Sequence, residues 1–109
     1  MRKIIGVVAM SLLISISITT SSMAGVKKGQ RLYKKNFYKT CGFSSVTFAR
    51  HHLQAEWENI YDTGNFPKEA KNICPKLNIE TIDKKWWKDI YEYSVKYAKD
   101  GVPPNGCND

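Results

Sequence analysis

Residues 4–18 form an apolar stretch broken only by serines and a glycine. It follows the basic start Met1-Arg2-Lys3 and precedes small residues at Ser22 and Ala24. That order is the layout of a secretory signal peptide cut after Ala24. The apolar run is about 15 residues, short of the roughly 20 needed to cross a bilayer as a helix. The expected product is a processed chain, 25–109, that is exported and does not span the membrane. Its 85 residues allow one small domain, whose core is marginal unless something staples it.

Three cysteines, Cys41, Cys74 and Cys107, all fall in the processed part, while all three methionines fall in the leader. In an oxidising compartment three cysteines imply one intrachain disulfide and one leftover thiol. The gaps from Cys41 to Cys74 and from Cys74 to Cys107 are equal, so loop-closure entropy does not separate those two pairings. Any of the three bridges contributes about 3–4 kcal/mol by the chain-entropy argument.

The processed chain carries fifteen Lys and Arg against ten Asp and Glu, a net charge of +5. The positive charge is concentrated at Lys27, Lys28, Arg31, Lys34, Lys35 and Lys39. For an exported chain this disfavours nucleic acid and points to an acidic protein partner or an anionic membrane surface. The plainer reading of the same residues is a solvated helix face.

Hydrophobic periodicity predicts helices and no strand. The first is expected from about Gly29 to Lys39, with Leu32, Tyr33, Phe37 and Tyr38 on one broad face and Gly42 as the stop. Ser44 or Ser45 starts a short turn through Val46, Phe48 and Ala49. A second helix spans Gln54–Thr63 and ends at Gly64. Pro67 suits the first turn of a third, Lys68–Ile73. The last has Thr81 as N-cap, Asp83 in its first turn, and its end at Lys99 and Gly101. Trp86, Ile90, Tyr93 and Tyr97 make one ridge of it, and Trp87, Tyr91, Ser94 and Ala98 the neighbouring one. A stripe that wide requires burial against at least two other helices, as core rather than as a cofactor box.

No arrangement of residues points to catalysis, and the chain reads as a non-enzyme. His51 and His52 are its only histidines, and adjacent residues on a helix point about 100° apart, so one face does not offer both to a metal. There is no Cys-x-x-Cys or His-x₃-His for zinc, and no Gly-x-Ser-x-Gly nucleophile elbow.

The segment from Gly29 to Gly42, Gly-Gln-Arg-Leu-Tyr-Lys-Lys-Asn-Phe-Tyr-Lys-Thr-Cys-Gly, resembles the opening helix of small exported c-type cytochromes. Those begin with a glycine, an aromatic four residues on, and then Cys-x-x-Cys-His. Gly29 and Tyr33 match the first two landmarks. The attachment motif falls on Phe37 to Cys41, so Phe37 and Thr40 stand where the thioether cysteines would, and Cys41 stands where the proximal histidine would. The resemblance implies a small all-α, cytochrome-c-like bundle of three to four helices over 25–109, its closing helix packed across the opening one, a place in a bacterial periplasm, an acidic periplasmic redox partner, and an electron-transfer ancestry. It excludes covalent haem by the usual route, and no methionine remains as sixth ligand. A haem held here is non-covalent, with Cys41, His51 or His52 as cofactor-binding residues. The competing role is a haem-free, disulfide-stapled binding module that docks through its basic first helix. A third is thiol redox chemistry at the unpaired cysteine.

Overall fold

The computed structural model describes residues 23–103, which form helices and no strand. In chain order they are α1 (Met23–Asn36), α2 (Tyr38–Cys41), α3 (Ser45–Ala49), α4 (Gln54–Asp62), α5 (Phe66–Ile73), a 3₁₀ turn (Ile79–Thr81) and α6 (Trp86–Lys96). The leader expected over 1–24 lies outside the described residues except for Met23 and Ala24, which open α1. Cys107 also lies outside them.

The all-helical expectation holds, but the described residues contain six helices rather than three or four. α1 begins six residues before Gly29 because Gly25 and Val26 are buried, Val26 packing with Ala49 and Tyr93. It ends at Asn36, where the chain kinks to bring the fully buried Phe37 ring into the core. The i→i−4 bonding runs through the kink, Phe37 N–H donating to the Tyr33 carbonyl at 2.7 Å and Cys41 N–H to the Phe37 carbonyl at 2.8 Å. Gly42 then stops α2 with φ +82°, a conformation that costs glycine little.

The middle of the chain follows its punctuation closely. Ser44 caps α3, its hydroxyl accepting from Thr47 N–H. Gly64 follows α4 at φ +77°. Pro67 lies in the first turn of α5, where its missing N–H has no partner to lose.

The last helix is shorter than its pattern at both ends. Thr81 belongs to the 3₁₀ turn, and Ile82 is extended (φ −90°, ψ 127°) with its side chain in the core. Burying Ile82 moves the start of α6 to Trp86, preceded by an Asx turn in which Asp83 accepts from Lys85 N–H at 2.9 Å. At the other end Val102 N–H reaches back to the Lys96 carbonyl at 2.8 Å. Gly101 permits this wrap, since a Cβ there would stand 2.2 Å from that same carbonyl.

α6 is the hub, packing against α1, α3, α4 and α5, with α1 its largest partner. One buried cluster joins Tyr33, Phe37, Phe48, Trp57, Phe66, Trp87 and Ile90 with smaller residues around them. Phe48 stacks on Trp57 at 5.4 Å, Trp57 meets Phe66 at 5.2 Å, and Phe66 meets Trp87 at 5.9 Å. Most polar atoms this packing buries need a partner, and three of the aromatic and hydroxyl groups have one, whereas Arg50 Nη1 is buried without a hydrogen-bond partner among the described residues. Trp57 Nε1 donates to the Ala49 carbonyl at 2.8 Å, Tyr33 OH to the Phe43 carbonyl at 2.9 Å, and Ser45 Oγ to Tyr93 OH at 2.9 Å.

α1 and α6 touch backbone to backbone. A Cβ on Gly29 would lie 2.1 Å from the Asp89 carbonyl oxygen and 3.0 Å from Tyr93 Cβ. Because the obstructing atom is backbone, Gly29→Ala must push the helices apart, an overpacking cost of about 1–3 kcal/mol that outweighs the gain of about 1 kcal/mol in helix propensity. In urea unfolding Gly29→Ala is expected to lower the midpoint without changing the slope. Lys34→Ala, on the outer face of the same helix, is expected to stay within about 0.5 kcal/mol of the parent.

Candidate functional site

The burial of Gly25, Val26, Gly29 and Tyr33 decides what α1 shows to solvent. Lys27, Lys28, Arg31, Lys34 and Lys35 are all exposed, and Lys39 continues the ridge on α2. At 1.5 Å per residue the row from Lys27 to Lys39 is about 18 Å long. α1 contains no acidic residue. Lys28 is paired with Asp89 of α6 at 3.6 Å, an exposed contact worth little. Lys27, Arg31, Lys34, Lys35 and Lys39 make no ion pair among the described residues. Tyr38, 51 % exposed, sits at the Lys39 end of the row.

The opposite flank of α6 carries the opposite sign. Asp89 and Tyr93 face α1, whereas Tyr91, about 200° round the helix from Asp89, stacks face to face on Tyr61 of α4 at 4.0 Å. α4 bears Glu56, Glu58 and Asp62 and no Lys or Arg. Burial first, then the Glu58 and Asp62 carboxylates, push the Tyr91 phenol up to about 12.

Cys41 and Cys74 are joined by a disulfide with Cα atoms 5.4 Å apart. The bridge ties α2 to the end of α5 and resolves the pairing that equal spacing had left open. It also takes from Cys41 the free thiolate that an axial-ligand role requires. Beside it lies a surface depression of about 250 Å³ lined by Thr40, Cys41, Phe43, Ile73, Cys74, Pro75 and Lys76.

The two histidines diverge. The His51 ring lies by Phe43, with 6.0 Å between ring centres, and its Nδ1 is 2.9 Å from the Thr47 carbonyl, which leaves Nε2 facing solvent. His52 points the other way, its ring edge-on to Trp57 at 4.7 Å. Its Nε2 lies 2.7 Å from Glu69 Oε2 and its Nδ1 3.3 Å from Glu56 Oε1, contacts that both donate only from imidazolium. Glu56 also accepts from Leu53 N–H at 2.9 Å. That backbone bond, followed by the His52 contact, holds the Glu56 carboxyl below the usual carboxylate range. The sequence flagged His52 but not Glu69, 17 residues away on α5; no local spacing connects them.

These residues do not fit a haem. Cys41 is committed to Cys74, His52 to two carboxylates, and His51 is exposed on a different side from His52. The interior that a porphyrin would occupy is filled by Phe37, Phe48, Trp57, Phe66 and Trp87, none more than 6 % exposed. Among the described residues no three of His, Cys, Asp and Glu converge on a point where a metal ion could sit, and no helix is long and apolar enough to cross a membrane. Compared with known protein families, curated proteins and solved structures, the chain matches none.

Two titrations test this electrostatic arrangement. Tyr91 keeps its proton longer in the folded than in the unfolded chain. Stability is therefore unaffected by this group below roughly pH 10, the ordinary tyrosine value, and falls between there and about 12 as the unfolded chain ionises first. An absorbance titration is expected to show a late phenolate step that Tyr91→Phe removes. Glu56 has the opposite sign: its contribution is present above the ordinary glutamate value and is lost as pH falls through its lowered one. NMR titration of the Glu56 side chain should show that lowering diminished in His52→Phe.

Proposed function

We propose that this chain is an exported, haem-free, disulfide-stapled binding module that docks an acidic protein partner through α1. The observation that carries this reading is the row Lys27, Arg31, Lys34 and Lys35 of α1, continued by Lys39 of α2: these cations make no ion pair among the described residues, and those of α1 stand outward on a helix whose other face is locked into the core. Cations held on a rigid rod present a fixed pattern to a partner and speed encounter with it. Tyr38 supplies the kind of exposed aromatic that anchors such contacts.

An acidic protein suits this face better than a bilayer. A helix that lies in a membrane surface turns an apolar face into the headgroup boundary. The apolar face of α1 is packed on α6 and α3, and apart from Met23 and Ala24 at its start the outer face of α1 is polar and cationic. The crossing of the first and last helices at Gly29, with Tyr33 one turn further on, supports a cytochrome-c-like architecture for the module. The aromatic filling of the interior favours a relative that carries no haem.

Two measurements test the reading. The parent protein is expected to bind a glutamate-rich peptide with an affinity that falls as salt rises, and the triple reversal Lys27→Glu, Arg31→Glu, Lys35→Glu should weaken it by about tenfold or more. Preferential binding to phosphatidylglycerol vesicles over that peptide would replace the acidic protein with a membrane surface. Haemin titrated into the protein should give only the spectrum of free haemin; a saturable, shifted Soret band lost in His51→Ala would restore the electron-carrier reading.

A further inference from the structure

The disulfide is buried on one side only. Cys74, the residue that closes α5, is 2 % exposed, whereas Cys41, at the end of α2, is partly open to solvent. The depression of about 250 Å³ reaches both half-cystines. Phe43, Ile73 and Pro75 give it apolar walls, and Thr40 and Lys76 form a polar, cationic edge without a carboxylate. The backbone beyond Cys74 is held independently of the bridge: Lys71 Nζ donates to the Pro75 carbonyl at 3.1 Å and to the Leu77 carbonyl at 2.9 Å. Cys74 N–H donates to the Ala70 carbonyl at 2.9 Å. The aromatic core from Tyr33 to Trp87 interlocks through ring contacts that do not pass through the sulfurs.

A disulfide that serves only as a staple is best covered on both sides, because exchange needs access to one sulfur. Here one half-cystine, Cys41, is partly open beside an apolar recess while the other, Cys74, is buried in the core. We propose that Cys41–Cys74 is a thiol–disulfide exchange site for a dithiol-bearing protein, with Cys41 as the sulfur attacked. The partner's thiolate bonds to Cys41 Sγ, the Cys41–Cys74 bond breaks, and its electron pair leaves on Cys74 Sγ, which takes up a proton. The partner's second thiol then attacks the mixed disulfide and releases Cys41 as a thiol. Two electrons and two protons pass to the Cys41–Cys74 pair, and the partner leaves with its own disulfide. The recess receives the apolar residues that flank the partner's thiol. The cationic edge favours the approach of a thiolate. Reduction untethers α2 from α5 and leaves the aromatic core in place.

Dithiothreitol and glutathione serve as probes on the intact oxidised protein without denaturant. Reduction is expected to rise in proportion to dithiothreitol concentration and to outrun global unfolding measured separately. Glutathione, quenched by acid and mapped by peptide mass, is expected on Cys41 rather than Cys74. Ile73→Trp fills the recess and should slow reduction about tenfold with an unchanged unfolding midpoint. If that variant does not fold, Lys76→Trp, at an exposed position on the rim, makes the same test. A reduction rate that is independent of dithiothreitol and equal to the unfolding rate would overturn the proposal, as would glutathione on Cys74. So would an unchanged rate in the folded recess variant.

Discussion

The close approach of α1 to α6 at Gly29 is the contact on which the other features rest. With no side chain at that position the two backbones meet at Asp89, and Tyr33, one turn on, drops into the aromatic cluster. Gly25 and Val26 are then carried into burial against α3 and α6, which draws the helix back to Met23. The buried face of α1, Gly25, Val26, Gly29 and Tyr33, is used in this packing. The lysines and arginine are left outward because no other face remains to them. The basic ridge is thus a product of the helix crossing as much as of composition.

α6 pays out its two flanks to helices of opposite charge. α1, with cations only, lies against the Asp89–Tyr93 side, and α4, with carboxylates only, lies against the Tyr91 side. Local fields follow from this separation. The Tyr91 phenol, stacked on Tyr61 near Glu58 and Asp62, resists ionisation, while His52 joins the acidic α4 to Glu69 on α5. Lys27, Arg31, Lys34, Lys35 and Lys39 make no ion pair among the described residues, and the proposed docking face does not compete with an internal partner there.

The aromatic interior bears on the cofactor question. Phe37 enters the core at the kink between α1 and α2, inside the stretch where the resemblance to c-type cytochromes puts haem attachment. Together with Phe48, Trp57, Phe66 and Trp87 it fills the space between the helices. Cys41, the position aligned with a proximal histidine, is bonded to Cys74. At this place the ring packing fills the volume and the disulfide engages the Cys41 thiol.

Local chemistry was enough to mark the helix limits in the middle of the chain: Gly42 and Gly64 stop their helices because each takes a positive φ, Ser44 caps α3, and Pro67 lies in the first turn of α5. The wide apolar stripe of α6 announced a helix buried on several sides, and the row of basic residues was visible before any packing was known. Tertiary structure decided the rest. The pairing of Cys41 with Cys74 was open because equal spacings cost equal entropy. Thr81 lost its capping role because burying Ile82 stabilises more than another turn of helix. The partnership of His52 with Glu69 joins residues from different elements, which no local pattern records. What the sequence determined by itself was that the chain is helical, where its middle helices stop and start, and which faces are apolar. Which faces meet, and therefore which side chains are left exposed, came from long-range packing, because burial is settled by the whole assembly of helices at once.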